Sequence, residues 1–197
     1  MQVSGVLLAA GESTRMSKGR LKQLLPFDGE PLVRRIATAA LASRLCELIV
    51  VVGFAGERVR RALAGLDVSL VENSHFRDGQ STSVKAGLAA VVPTANGALF
   101  LPADQPFLTS VVIDQIIETY QQTGAPIVLP VFQDRRGMPV LFDRSLFPEL
   151  AQIAGDEGGR QIVRRHPEKV VVVPLDSELP LLDIDTAEDY SRLLEAV

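Results

Sequence analysis

Short apolar runs alternate with longer segments of helical periodicity along most of the chain. The apolar runs are rich in Val, Ile and Leu, which is typical of strands buried on both faces of a parallel sheet. They predict strands at residues 4–9, 47–53, 68–72, 98–102, 127–131 and 170–174. The periodic segments predict helices at residues 30–42, 56–64, 82–92 and 110–123. This alternation indicates a three-layer α/β/α fold with right-handed crossovers.

The last third of the chain breaks this regular alternation. Residues 127–132 and 138–142 indicate two strands around the polar turn 133–137, which predicts a β-hairpin insertion that caps a site. The segments predicted after it are a helix at 146–153, a polar glycine-rich segment at 155–160, a short helix ending at Arg165 and a terminal helix from Thr186. No internal repeat or low-complexity linker divides the sequence. A length of 197 residues therefore predicts one domain over residues 1–197.

Composition excludes several classes of protein for this sequence. Lys and Arg number 20 against 24 Asp and Glu, a net charge of −4, which argues against a surface that tracks nucleic-acid phosphates. No apolar run reaches the roughly 20 residues of a membrane span, and residues 1–4 lack the pattern of a signal peptide. The single cysteine, Cys46, is predicted to be a buried structural thiol. These features predict a cytoplasmic protein with no nucleic-acid or membrane partner.

The loop after the first predicted strand is rich in cations. It follows Leu8-Ala9-Ala10-Gly11, and its four cations lie within eight positions: Arg15, Lys18, Arg20 and Lys22. The loop matches neither GxGxxG nor GxxxxGK[ST], which disfavours a dinucleotide site and a P-loop. Free backbone N–H groups, hydroxyls and cations are nevertheless the components of a triphosphate site. A solvated basic loop is the alternative.

Carboxylates follow two later segments. Asp104 comes two residues after the strand predicted at 98–102, where the carboxyl ends of parallel strands meet the ligand crevice. Asp183 and Asp185 alternate with Ile184, so an extended chain would place both on one face. Mg²⁺ binds through one or two carboxylates together with substrate phosphates, so Asp104 with one of these could hold it. A turn at Asp104 and a helix cap at Asp185 are the alternatives.

A polar loop separates the third predicted strand from the next helix. Asn73, Gly79, Ser81 and Ser83 supply amide and hydroxyl groups that could read a base edge, and turn formation is the alternative. The two histidines, His75 and His166, lie near no Ser or Cys nucleophile at a recognisable elbow and are interpreted as structural.

Together these motifs resemble the MobA-like nucleotidyltransferases, and most of all the molybdenum cofactor cytidylyltransferase branch. The residues that carry the resemblance are Leu8-Ala9-Ala10-Gly11 with Ser13, Arg15-Met16 and Lys22-Gln23-Leu24-Leu25-Pro26, Asn73 with Gly79 and STSVKAGL at 81–88, Asp104-Gln105-Pro106, Gly155-Asp156 with Gly158 and Arg160, and DIDTAED at 183–189. The resemblance implies a Rossmann-like nucleotidyltransferase fold. It implies transfer of CMP from CTP to the terminal phosphate of molybdopterin carrying molybdenum, with Mg²⁺ as cofactor and pyrophosphate as product. A molybdoenzyme or a chaperone would receive the nucleotide-linked cofactor.

The resemblance also implies roles for individual residues. Arg15, Lys22 and Asp104 would be catalytic, with Arg15 and Lys22 on the phosphates. The nucleotide would be held by Leu8, Ala9, Ala10 and Gly11, with Asn73, Gly79 and Ser83 near the base and ribose. Asp104 would bind the metal with Asp185 or, as an alternative, Asp183. The acceptor would face Gly155, Asp156, Gly158 and Arg160.

The sequence departs from the family pattern at two places. Residues 17–21 separate the Arg-Met pair from the lysine, so Lys18 is an alternative to Lys22 as a phosphate ligand, and Met138 stands where relatives often have a polar residue. Three rival functions remain at this point. They are a guanylyl- or other nucleotidyltransferase with a different phosphorylated acceptor, a non-catalytic molybdenum cofactor carrier, and an NAD-dependent oxidoreductase, which the missing glycine fingerprint disfavours.

Overall fold

A mostly parallel β-sheet forms the centre of the molecule. The computed structural model describes residues 1–14, 16 and 20–195, and within these residues the sheet has eight strands. The strands of the chain are β1 (Val3–Ala9), β2 (Pro26–Phe27), β3 (Glu30–Pro31), β4 (Glu47–Val52), β5 (Ser69–Glu72), β6 (Gly97–Pro102), β7 (Ile127–Phe132), β8 (Arg135–Arg136), β9 (Val140–Asp143) and β10 (Val170–Pro174). The helices are α1 (Leu32–Leu41), α2 (Gly56–Ala62), α3 (Gln80–Ala90), α4 (Ser110–Thr123), α5 (Phe147–Leu150), α6 (Arg160–Arg165) and α7 (Ala187–Leu194).

The strand order places β1 well inside the sheet. The order is β10-β7-β9-β6-β1-β4-β5, β8 pairs with the end of β7, and β2 and β3 form a separate ribbon. β1 runs parallel to both of its neighbours, β4 and β6. The carboxyl ends of these three strands therefore open on the same edge of the sheet, which confirms the predicted α/β fold.

The predicted hairpin has a different place in the structure from the one expected. Its second strand, β9, lies between β6 and β7 and runs antiparallel to both, so it is part of the central sheet and not a cap outside it. Val140, Leu141 and Phe142 are all buried, because side chains on both faces of β9 enter the core. The short β8 pairs antiparallel with the end of β7, at the rim of the same sheet.

Helices cover both faces of the sheet. On one face, α1 packs Val33, Ile36, Ala37 and Ala40 into a core shared with α2 and α4. These positions follow the spacing of one helical face, and burial of each larger aliphatic side chain contributes about 1.5–3 kcal/mol. On the other face, α3, α5 and α6 contribute to a second core. The sheet therefore has apolar cores on both sides, as its apolar runs predict.

Local signals explain where several helices begin and end. α4 has the predicted bounds: the Thr109 side chain accepts from the Val112 N–H at 3.4 Å, and Gly124 ends the helix with φ of 62°. The helix predicted at 146–153 is shorter, with α5 preceded by a 3-10 turn at Arg144–Leu146.

Cys46 is exposed, so the prediction of a buried thiol is wrong. The reason is that Cys46 precedes β4, whose full burial begins only at Leu48. In the part of the chain that the structure describes, no helix combines the length and apolarity needed to cross a membrane.

Candidate active site

A cavity of about 420 Å³ opens at the carboxyl ends of β1 and β6. It lies where the strand order places the loops after adjacent parallel strands, which is the usual ligand position in open α/β sheets. Its lining residues are Leu8, Ala9, Ala10, Gly11, Lys22, Gln23, Phe76, Gln80, Ser83, Pro102, Ala103, Asp104, Met138, Asp156, Arg160, Asp183 and Asp185. The cavity thus brings together six separate parts of the sequence, counting residues 8–23 as one.

The loop after β1 is held in place by Gln23, a residue to which the sequence analysis assigned no role. Its side-chain amide donates to the Gly11 carbonyl at 3.0 Å and accepts from the Ser13 hydroxyl at 3.0 Å. The same hydroxyl accepts from the backbone N–H of Lys22 at 3.0 Å. Gln23 is only 3% exposed, so this network is shielded from water. It fixes the backbone of Lys22 beside the β1 loop.

Lys22 lies between two carboxylates. Its Nζ atom donates to Asp104 and, at 3.1 Å, to Asp185 Oδ1. Burial acts to lower the pKa of Lys22, but the charges and hydrogen bonds of Asp104 and Asp185 outweigh it and raise the pKa above its ordinary value. Lys22 is therefore a cation in this site. We name these three residues the cation cluster.

Asp183 has surroundings that differ from those of Asp185. Its Oδ1 accepts from the Gln105 side-chain amide at 2.8 Å. Burial and the negative charge of Asp104 raise the pKa of Asp183, although the Gln105 hydrogen bond acts in the opposite direction. Of the two alternatives for a carboxylate that acts with Asp104, Asp185 is the one that shares a cation with it.

The segment that carries Asp183 and Asp185 is tied to the loop after β6. The Ile184 N–H donates to the Asp104 carbonyl at 2.9 Å, and the Ile184 side chain is fully buried. Thr186 and Asp189 then form a capping box at the start of α7. Asp104 and Asp185 are consequently held together by the backbone as well as by their shared cation.

Asn73 lies behind the cavity wall and does not line it. Its amide donates to the hydroxyls of Thr82 and Ser83, each at 2.9 Å, and its oxygen accepts from the His75 N–H at 3.0 Å. With 4% exposure, Asn73 joins the loop after β5 to the first turn of α3. Of the residues predicted near the base and ribose, only Ser83 lines the cavity.

Gly79 allows the start of α3 to pack against the glycine-rich segment 155–158. Its φ is +105°, and a Cβ atom there would lie 2.6 Å from the Gly155 carbonyl carbon and 2.9 Å from Asp156 Oδ1. The Ser81 N–H donates to the Gly155 carbonyl at 3.0 Å. Gly158 also lies against α3, where a Cβ would meet Gln80 Oε1 at 2.8 Å. This packing places Asp156 and Arg160 in the cavity wall.

The remaining predicted residues are placed as follows. Arg15 and Lys18 lie outside the described residues. His75 is exposed and lies 3.4 Å from Asp78, and His166 Nε2 lies 2.7 Å from Glu149 Oε2, so neither reaches the cavity. Within residues 1–14, 16 and 20–195, no group of three or more His, Cys, Asp or Glu side chains is arranged to hold a metal.

The parallel sheet, the loop after β1 and the cation cluster are the features of a nucleotidyltransferase. Residues 5–187 match the MobA-like NTP transferase domain, and the chain belongs to that family. The match covers all of the described site and confirms the family indicated by the sequence motifs.

Two relatives match almost the whole chain. The nicotine blue oxidoreductase of Paenarthrobacter nicotinovorans is 33% identical, over 98% of this chain and 96% of the relative. The purine catabolism protein PucB of Bacillus subtilis (strain 168) is 30% identical, over the same shares of the two chains. Members of similar length and similarity therefore carry names from different areas of metabolism.

Solved structures match the fold over its full length. Rv0371c of Mycobacterium tuberculosis H37Rv is 35% identical with a TM-score of 0.86, over 98% of each chain, and a structure of it in complex with manganese is 34% identical with a TM-score of 0.83, over 100% of each. A nucleotidyl transferase from Methanothermobacter, Mth528, has a TM-score of 0.85 at 23% identity, over 99% of this chain and 97% of that one, which shows a shared fold.

Proposed function

We propose that this protein transfers CMP from CTP to the terminal phosphate of molybdopterin carrying molybdenum and releases pyrophosphate. The proposal takes residues 1–197 as one catalytic domain working in the cytoplasm, with a molybdoenzyme or a chaperone as recipient of the product. The observation that carries the reaction class is the cation cluster, because it places a lysine and two carboxylates beside the β1 loop.

The chemistry requires no activated side-chain nucleophile. An oxygen of the acceptor phosphate attacks the α-phosphorus of the nucleotide, a new P–O bond forms, and the bond from that phosphorus to the oxygen bridging to the β-phosphate breaks. The electron pair of the broken bond leaves with pyrophosphate. Positioning and electrostatic stabilisation supply most of the catalysis of such transfers. Lys22, with Arg15 as a further predicted cation, would stabilise the charge on the phosphates.

The donor set fits a divalent metal. Asp104 and Asp185 direct hard carboxylate oxygens toward a single cation, Lys22 Nζ, and their side chains are 15% and 31% exposed. Two carboxylates completed by substrate phosphates are a common arrangement for Mg²⁺. We propose that these two residues hold Mg²⁺, which when bound would neutralise charge on the triphosphate. The manganese complex of Rv0371c supports a divalent metal in a relative of the same fold.

The choice of CTP and of molybdopterin rests on the resemblance of the LAAG, DQP and DIDTAED segments to the cytidylyltransferase branch. The backbone of Ala9, Ala10 and Gly11 would hold the nucleotide, with Ser83 near its sugar or base. Asp156 and Arg160 on the opposite wall would face the acceptor. Guanylyl transfer to the same or another phosphorylated acceptor is the nearest rival.

The direct test is pyrophosphate release. The purified protein with Mg²⁺ and molybdopterin carrying molybdenum is given each of the four nucleoside triphosphates in turn. We expect release with CTP at least about tenfold above the other three. Preference for GTP would replace cytidylyl by guanylyl transfer, and tight cofactor binding without release from any triphosphate would favour a carrier.

A second candidate comes from the relative named nicotine blue oxidoreductase. Against it, the loop after β1 offers Gly11 but no GxGxxG fingerprint for a dinucleotide. Titration with NADH and NADPH, followed by fluorescence, tests this candidate. We expect no saturable binding, and micromolar binding would support an oxidoreductase.

A further inference from the structure

The hydrogen bonds of Gln23 cross the whole loop after β1. Its amide group bonds to the Gly11 carbonyl and the Ser13 hydroxyl at the start of the loop, while Gln23 itself lies at the end of the loop, next to Lys22. Both polar atoms of this amide are thus used within the protein. Breaking such buried hydrogen bonds is costly, because the groups left behind cannot easily bond to water. Gln23 therefore joins the two ends of the loop.

Ser13 has an uncommon backbone conformation. Its φ is 56°, in the left-handed region that residues other than glycine rarely adopt. In this conformation the Ser13 hydroxyl donates to Gln23 Oε1 and accepts from the Lys22 backbone N–H, each at 3.0 Å. Strained backbone persists only where surrounding contacts hold it. The Gln23 amide is one of the contacts that hold Ser13 in this conformation.

The start of the loop offers backbone N–H groups to a ligand. No residue that the structure describes accepts a hydrogen bond from the N–H groups of Gly11, Glu12 or Ser13. Consecutive free N–H groups in a turn can bind an anion. Gln23 holds the Gly11 carbonyl, and the carbonyl and N–H of a trans peptide point in opposite directions. The Glu12 N–H is therefore directed away from Gln23, and the Gln23 amide fixes that direction.

We propose that Gln23 is a positioning residue for nucleotidyl transfer. It acts through two groups that the proposed function places on the triphosphate, the backbone of the loop after β1 and the Lys22 ammonium. One buried amide fixes where these two groups lie relative to each other, so they are aligned before substrate binds. Such alignment lowers the reorganisation needed in the transition state. The proposal rests on nucleotidyl transfer as the proposed function and adds a residue that it does not include.

Replacing the amide by an apolar side chain of similar length tests the proposal. Gln23→Met removes both hydrogen bonds, and Gln115→Met is the matched control, because Gln115 is exposed on α4 and lies outside the cavity. The measurement is kcat for the triphosphate that supports pyrophosphate release, below the Tm of each variant. We expect kcat to fall about tenfold or more in Gln23→Met and to stay unchanged in Gln115→Met.

The pH profile of Gln23→Glu separates alignment from general stability. An ionised carboxylate accepts from Ser13 but cannot donate to the Gly11 carbonyl, whereas a protonated carboxyl group does both, like the amide it replaces. Burial favours the protonated form. We expect kcat of Gln23→Glu, divided by that of the unmodified protein, to rise severalfold from pH 8 to pH 5. The same ratio for Gln23→Met should stay flat.

Labelling of Lys22 tests the positioning without turnover. Lysines are acylated with an N-hydroxysuccinimide ester, and mass spectrometry compares the rate at Lys22 with that at Lys169, which lies outside the cavity. Lys22 is held between Asp104 and Asp185 and is only 23% exposed. We expect Gln23→Met to raise the relative rate at Lys22 at least about threefold and Gln115→Met to leave it unchanged.

The outcomes separate the role of Gln23 from the proposed reaction. Unchanged kcat in Gln23→Met, no rise of the Gln23→Glu ratio at low pH, or unchanged labelling of Lys22 would overturn the positioning role. Faster labelling of Lys22 in Gln23→Met, in a protein that releases no pyrophosphate from any triphosphate, would retain the link from Gln23 to Lys22 and reject the reaction.

Discussion

The two sides of the cavity differ in how their charges are satisfied. On the β1 and β6 side, Lys22 pairs with both Asp104 and Asp185, and Gln23 and the Ile184 backbone hold these residues in place. In the adjoining groove lined by Arg136 and Arg160, the guanidinium groups of these two residues make no hydrogen bond or ion pair within the part of the chain that the structure describes. Preorganised charge suits a reaction centre, because little reorganisation is then needed during the reaction. Unpaired charge suits a binding surface, because a ligand of opposite charge can pair with it.

The largest expected effect is on the reaction itself. Asp104→Asn removes one charge from the cation cluster and keeps the shape of the side chain. We expect nucleotidyl transfer to fall on the order of 10²–10³-fold, as when one electrostatic group of an active site is removed. Pyrophosphate release measures this effect, and circular dichroism checks the fold. The control is Asp176→Asn, because Asp176 is exposed and lies outside the cavity. Full activity of Asp104→Asn would show that Asp104 has no part in the mechanism.

Replacing Lys22 tests whether its ammonium group occupies the position that a divalent metal would take between the two carboxylates. Lys22→Met leaves Asp104 and Asp185 without their shared ammonium, and like charges in one partly buried site repel. We expect a lower Tm in the absence of metal and a larger upward shift of Tm with Mn²⁺ than in the unmodified protein. Lys169→Met, away from the cavity, should respond to Mn²⁺ as the unmodified protein does. A smaller shift in Lys22→Met would show that the two carboxylates do not attract a divalent metal.

The contact between α3 and the glycine-rich segment is tested by Gly79→Ala. The backbone at +105° is a conformation that only glycine adopts readily, costing about 1–3 kcal/mol, and the close approach to Gly155 adds about 1–3 kcal/mol. Chemical denaturation measures the loss. Gly124→Ala is the control, because Gly124 has φ of +62° with open space around it and should lose only about 1–2 kcal/mol. Equal losses would mean that the segment 155–158 yields to an added methyl group.

The smallest effect concerns the contact between α4 and the end of β9. The Tyr120 hydroxyl donates its single proton to the Asp143 carboxylate at 2.5 Å and lies 2.9 Å from the Asn96 carbonyl oxygen. Burial acts to raise the pKa of Asp143, but hydrogen bonds from Tyr120 and Ser145 outweigh it and hold the pKa below its ordinary value. The contribution of the ionised Asp143 carboxylate to stability is thus complete above about pH 4, and it is lost as pH falls through the lowered pKa.

The same pair has the opposite dependence in alkali. Burial, and then Asp143, raise the pKa of Tyr120, so its contribution is complete below about pH 10 and decreases as pH rises above that value. Unfolding midpoints in denaturant across pH measure both slopes. Asp143→Asn should flatten the acid slope and Tyr120→Phe the alkaline slope; unchanged slopes in both variants would mean that other groups set the pH dependence.

Most of the sheet could be predicted from the sequence, but strand order could not. The run at 170–174 has the bounds of β10, because four successive valines leave a clear apolar signal even in an edge strand that is only partly buried. β9 carries a similar signal, yet its place between β6 and β7 depends on long-range pairing that periodicity does not encode. Cys46 illustrates the same limit, since one residue before a buried strand is already exposed.

Site residues whose charge gives them a chemical role could be predicted from the sequence. The residues that hold them in place were harder to predict. The carboxylates after β6 and before α7 were expected at one edge of the sheet, and the structure places Lys22 between them. Gln23 and Gln105 lie in segments that carry the family resemblance but were given no role, because an uncharged amide does not by itself indicate what it will bind. Asn73 was expected near the nucleotide, but its donors and acceptor are used within the protein.

The hydrogen bond from Ile184 to the Asp104 carbonyl joins residues 80 positions apart in the chain (184 − 104 = 80). A ribosome that has made the chain only as far as α4 has produced the lysine and one carboxylate of the cluster, but not the segment that completes it. The nascent protein should therefore gain its cation cluster only after the start of α7 has emerged. The reaction centre is therefore assembled only after all eight strands of the sheet have been synthesised.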